Sequence, residues 1–193
     1  MNKYRELLGL PGIGKSTYIK RSSSDPVLMD RQPTTYKLLM LMVFPFVNPT
    51  LFFLIVKPIK WIHFSKYLLY IKGLSRFIIR FNEIKSYDKL GKSNFIFEEG
   101  IYQAVWGLLF PLECNLRNRK FACLLLDNIV FSCDVYYLYN STPVWLNRYN
   151  GRNKKTRIDS MLDSKKDTVQ IRDWMAFICK YLSNKKVINN IKV

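Results

Sequence analysis

The chain has 193 residues, 49% of them hydrophobic, and a formal net charge of +17. That length suits one domain, and that apolar content excludes a chain disordered throughout. The charge selects anionic partners (nucleotides, nucleic acid, anionic lipid, phosphorylated small molecules) without choosing among them.

Residues 4–8, YRELL, read as a short strand ending at Gly9, followed by a glycine-rich turn and a helix from Lys15 to Arg21. SSSD breaks that helix, and residues 26–30, PVLMD, form a second strand candidate. Residues 38–56 carry no charge over nearly the length of a membrane span, but Pro45, Asn48 and Pro49 interrupt them. Asn48 with Pro49 is a cap and first-turn pair, so two short helices are expected. They are either a helical pair buried in the domain or a segment at or in a membrane. From Ile59 to Phe81 the apolar residues recur at helical spacing, decorated by Lys60, Lys66, Lys72, Arg76 and Arg80. No acidic residue stands between Asp30 and Glu83, a pattern that suits either a solvated basic face or contact with anionic headgroups.

Residues 94–98, NFIFE, read as a buried strand, with helices expected over 101–113 and 117–128 and a further strand over 135–139. Thr142 and Pro143 open a helix that Gly151 can end. Residues 164–182 form an amphipathic helix, and VINNIKV closes the chain as a last strand. Strands alternating with helices predict an α/β domain around a parallel sheet. Cys114, Cys123, Cys133 and Cys179 make no C-x-x-C pair and only one histidine, His63, is present, so neither a Cys/His metal centre nor His-dependent hydrolysis is expected. The cysteines read as reduced, buried thiols, and the opening MNKYRELLGL lacks the apolar run of a secretory leader. The expected location is cytoplasmic, with the inner face of the membrane as a peripheral seat.

The stretch GLPGIGKST, residues 9–17, fits G-x-x-x-x-G-K-[ST] and lies between a predicted strand and a predicted helix. Glycines at 9, 12 and 14 let backbone N–H groups turn inward to form an anion nest. Lys15 adds a point charge for the outer phosphates, and Ser16 offers a hydroxyl to Mg²⁺. Gly9, Pro11, Gly12, Ile13, Gly14, Lys15, Ser16 and Thr17 are the expected nucleotide-binding residues.

ELLGLPGIGKSTYI resembles the opening of small P-loop kinases of the nucleoside and nucleotide kinase type, thymidylate-kinase-like in character. IFEEGIYQAVW, residues 96–106, resembles the block in which such kinases carry an acidic pair, a glycine and a glutamine, here Glu98, Glu99, Gly100 and Gln103. VYYLYNSTPVWLNRYNGRNKKTRID, residues 135–159, resembles their strand, helix and arginine-bearing lid. The resemblance spans roughly the whole chain. It implies a single P-loop domain over 1–193, a three-layer α/β sheet of mostly parallel strands, a helical acceptor-side region over 34–93, and an arginine lid over 148–159. It implies ATP and Mg²⁺ as cofactors, Lys15 as a catalytic cation, and Glu98 with Ser16 at the metal. Glu99 would orient or deprotonate the acceptor, and Arg148, Arg152 and Arg157 would close over the phosphates.

Glu98 stands where the family more usually has Asp, one methylene shorter. The expected activity is phosphoryl transfer to a small acceptor, lipid- or sugar-linked given the apolar and basic acceptor side. The alternatives are a sulfotransferase, which uses a related phosphate loop, and a non-catalytic nucleotide-binding regulatory or assembly protein at the membrane. NGRNKKTR also suits nucleic-acid contact, but no helix-turn-helix, zinc-finger or RNA-binding signature accompanies it, so nucleic acid is not the expected partner.

Overall fold

The computed structural model describes residues 4–21, 33–89, 96–129, 131, 133–141, 143–145, 147 and 165–192. The second strand candidate, residues 26–30, and the expected lid arginines Arg148, Arg152 and Arg157 lie outside the described residues.

Among the described residues four strands make one sheet in the order β2-β1-β3-β4, every neighbouring pair parallel. They are β1 (Tyr4–Leu8), β2 (Ile96–Phe97), β3 (Cys133–Tyr139) and β4 (Ile188–Lys192). Side chains alternate across the sheet, and both faces are buried. Tyr4, Leu8, Phe97 and Val135 face the larger core, while Leu7, Ile96 and Leu138 face a smaller one with Ile13, Ile19 and Trp145. Burial on both faces is why Leu7 and Leu8 are adjacent rather than separated by a polar residue. The result is the expected α/β architecture.

The helices are α1 (Lys15–Arg21), α2 (Thr34–Val47), α3 (Pro49–Val56), α4 (Phe64–Lys89), α5 (Ile101–Leu109), α6 (Leu116–Asp127) and α7 (Lys165–Asn184), with a 3₁₀ turn over Lys57–Trp61. α2 and α3 meet at Asn48, as expected, because the residue before a proline is driven out of helical geometry; Asn48 sits at φ −135°, ψ 62°. Its side chain makes no cap hydrogen bond, contrary to expectation. α4 starts later and runs longer than its apolar spacing suggested, after a break at Ile62-His63, and His63 precedes the helix with Nδ1 2.8 Å from Ser65 Oγ. α5 stops at Leu109, short of the expected 113, because Pro111 follows and α7 takes the released carbonyls. Gln170 Nε2 donates to Phe110 O and Leu112 O at 2.7 and 2.8 Å, and Trp174 Nε1 donates to Leu112 O at 2.7 Å.

Two expectations about burial need correction. α3 buries Leu51 and Ile55, but α2 buries only Phe44 and exposes Leu38, Leu39, Met42, Val43, Phe46 and Val47. An uncharged stretch fixes what a helix can bury, not whether a neighbour covers it. No single helix among the described residues is long and apolar enough to cross a membrane. Taken together, α2 and the segment Pro49–Trp61 reach that composition but are bent by 106°. Of the cysteines only Cys133 is buried, and the other three are half-buried and free.

Candidate active site

β1 ends at Leu8 and delivers the chain into the loop at the carboxyl edge of the sheet, where ligands of open parallel sheets bind. Gly12 and Gly14 adopt φ 80° and 107°, left-handed values that a side chain would strain. The turn is closed by Ile13 N–H donating to Leu10 O at 3.2 Å, and Tyr18 N–H donates to Gly14 O at 2.9 Å. Lys15 is buried rather than solvated, and its Nζ donates to the Gly9 carbonyl at 2.8 Å. Ser16 and Thr17 are exposed on the first turn of α1.

β2 is hydrogen-bonded directly beside β1, so the acidic pair that follows it arrives next to the loop. The Ser16 hydroxyl donates to Glu98 Oε1, which joins the two residues expected at the metal. A hydroxyl and one carboxylate beside a phosphate cradle form a hard oxygen donor set. That set matches the way Mg²⁺ binds, through one or two protein ligands, phosphate oxygens and retained waters. Among the described residues no group of three or more His, Cys, Asp or Glu side chains is placed to hold a metal ion. Glu99 points elsewhere and lies 3.6 Å from Arg76 of α4, with both groups partly exposed.

Glu6 and Trp145, which the sequence did not single out, organise the site together with Gly100 and Gln103 of the resembling block. Gln103 Oε1 accepts the Gly9 N–H at 3.2 Å, and the Gln103 N–H donates to Glu6 Oε1 at 2.8 Å. Glu6 lies on β1 with no exposed surface, against the first turn of α5. Burial pushes its carboxyl up to about 8, against the opposing pull of the Gln103, Tyr102 and Ile101 N–H groups and of Arg80. Its Oε2 has no partner. Gly100 is what lets Glu6 in, since a Cβ there would come within 2.3 Å of the carboxyl carbon. Trp145 completes the frame from the other side, its indole N–H donating to Pro11 O at 2.8 Å. The signal for Glu6 was present in the sequence: a lone acid in a strand buried on both faces needs a polar partner in the core. Trp145 carried no such signal.

A cavity of about 330 Å³ opens beside the loop, lined by Leu10, Ile13, Tyr137, Trp145, Arg172 and Met175 among others. Loop, acidic pair and cavity thus lie together at the carboxyl edge of the sheet.

No protein-family model matches the chain, and no curated protein matches it either. Among solved structures, that of deoxyadenosine kinase from M. mycoides with products dCMP and a flexible dCDP bound matches with a TM-score of 0.54 at 13% identity. The match covers 97% of this chain and 89% of that one. At that identity the likeness shows the fold: a parallel α/β sheet with flanking helices, arranged as in that kinase.

Proposed function

We propose that the chain is an ATP-dependent phosphotransferase acting on a small acceptor, lipid- or sugar-linked. It would work as a single unit, with residues 34–93 on the acceptor side and 148–159 as the lid, at the cytoplasmic face of the membrane. The observation that carries the reading is the pairing of Ser16 with Glu98 at the mouth of a loop whose Gly12 and Gly14 take left-handed backbone angles.

Lys15 would exchange the Gly9 carbonyl for the β and γ phosphates. Ser16 and Glu98 would hold Mg²⁺, which when bound neutralises phosphate charge. Glu99, oriented by Arg76, would take the acceptor hydroxyl proton as the acceptor oxygen bonds to the γ phosphorus and the bridging P–O bond to ADP breaks. Arg148, Arg152 and Arg157 would meet the charge that builds on the transferring group. The exposed apolar face of α2 favours a second reading, a nucleotide-binding assembly protein at the membrane without turnover.

Transfer from γ-labelled ATP to a panel of hydroxyl acceptors separates the two. The kinase reading expects one labelled class. It also expects a loss of about 10²–10³ in turnover in Arg152→Ala and Arg157→Ala, with ATP affinity far less affected. Tight ATP binding with no acceptor labelled would leave the second reading standing.

A further inference from the structure

A groove of about 480 Å³ lies between the α3–3₁₀ segment and α6, sharing no residue with the phosphate loop or the cavity beside it. Leu54, Trp61, Leu116, Phe121 and Leu124 make its apolar lining, and its remaining residues are Lys57, Arg117 and Lys120. All three cations are exposed, no carboxylate lines the groove, and none of the three meets one among the described residues.

We propose that this groove binds an anionic lipid, one acyl chain lying along the apolar lining and the phosphate held by Lys57, Arg117 and Lys120. Three observations converge on that chemistry. The first turn of α6 contains no acid and carries Arg117, with Lys120 at the start of the next turn, so an anion there meets both cations and the helix's positive end. Arg117 is stacked on Trp61, its guanidinium carbon 3.8 Å from the ring centroid, which fixes the plane of its N–H donors as phosphate recognition requires. Between the cations the lining is aliphatic and aromatic, its one polar group, the Trp61 indole N–H, being buried rather than open to the groove. A peptide would need partners there for its own backbone groups, whereas an alkyl chain needs none. A second copy of the chain docking symmetrically would set like charges face to face. The groove also adjoins the bent apolar pair in sequence, since Leu54 and Lys57 belong to its second arm.

The proposal depends on neither phosphoryl transfer nor nucleotide binding. The test is calorimetry on the full chain with dihexanoyl phosphatidate kept below its micelle concentration, and in parallel with inorganic phosphate and with dihexanoylglycerol. Phosphatidate should bind, with the other two weaker by at least about tenfold, because each lacks half of the recognised chemistry. The exposed triple variant Lys57→Gln, Arg117→Gln, Lys120→Gln should lose about tenfold or more, and Leu124→Gln should weaken the chain contact, both with ATP affinity unchanged. No binding, equal binding of inorganic phosphate, or undiminished affinity in the triple variant would overturn the proposal. So would a lipid-free dimer, seen by sedimentation velocity, that Leu124→Gln dissolves. Failure of ATP to bind would instead remove the phosphate-loop reading and leave the groove standing.

Discussion

Glu6→Gln turns the buried carboxyl of β1 into a measurable pH dependence. Burial raises Glu6 from an ordinary 4.5 to about 8, and it outweighs the N–H groups at the start of α5 that favour the ionised form. Above pH 4.5 the unfolded chain releases this proton, while the folded chain keeps it until about pH 8. The folded state therefore binds more protons across that window, and its stability falls as pH rises, levelling off below 4.5 and above 8. At about 1.4 kcal/mol per pH unit, the full window from 4.5 to about 8 amounts to ~5 kcal/mol. Glutamine has no proton to exchange and keeps an oxygen for the Gln103 N–H. The variant should thus gain on the wild type steadily with rising pH. Urea unfolding of both proteins at half-unit steps from pH 5 to 9 measures that difference. A flat difference, or one in which the wild type gains with pH, would show that Glu6 is ionised in the fold and that the helix N-terminus governs it.

Lys15→Ala should weaken ATP binding by about 10- to 100-fold, the scale of a lost charged hydrogen bond, and lower the unfolding temperature, because the buried Gly9 carbonyl loses its donor; equal affinity by calorimetry refutes the cradle. Gly100→Ala should cost about 1–3 kcal/mol, since its Cβ would overlap the Glu6 carboxyl. In a double mutant with Glu6→Ala the two losses should sum to less than their parts, which denaturant unfolding can read. Trp145→Phe should remove about 1 kcal/mol of stability through the lost bond to Pro11 and raise the nucleotide dissociation constant, because the loop's outer wall is released. Unchanged nucleotide affinity would mean that Trp145 only fills the core.

What the sequence disclosed follows from how local each cause is. The phosphate loop was legible because Gly12 and Gly14 must take left-handed backbone angles wherever the loop occurs. The break between α2 and α3 was legible because Pro49 acts on its immediate neighbour. The partner of Ser16 was legible only by resemblance, since Glu98 reaches it through a parallel strand pairing that no periodicity encodes. The exposure of α2 was not legible, because an apolar helix looks the same whether or not another element covers it. The link from Glu6 through Gln103 to Gly9 joins three segments by single hydrogen bonds, and nothing in any one segment announces the other two.

The position of β1 at the interior of the sheet also sets a schedule for the newborn chain. Arg5 pairs with Ile96 and Tyr4 with Cys133, so among the described strands the one that leads into the glycine-rich loop has no partner until about half the chain has been made. At the usual rate of synthesis that is a wait on the order of ten seconds. Throughout it β1 keeps two open edges, and the α2–α3 stretch, uncharged after Lys37, emerges beside it with nothing yet to pack against. The nascent protein therefore presents an apolar, aggregation-prone surface long before its sheet exists. Its yield in the cell should depend on what catches that surface first, a holdase or a membrane, more than on the final stability of the fold.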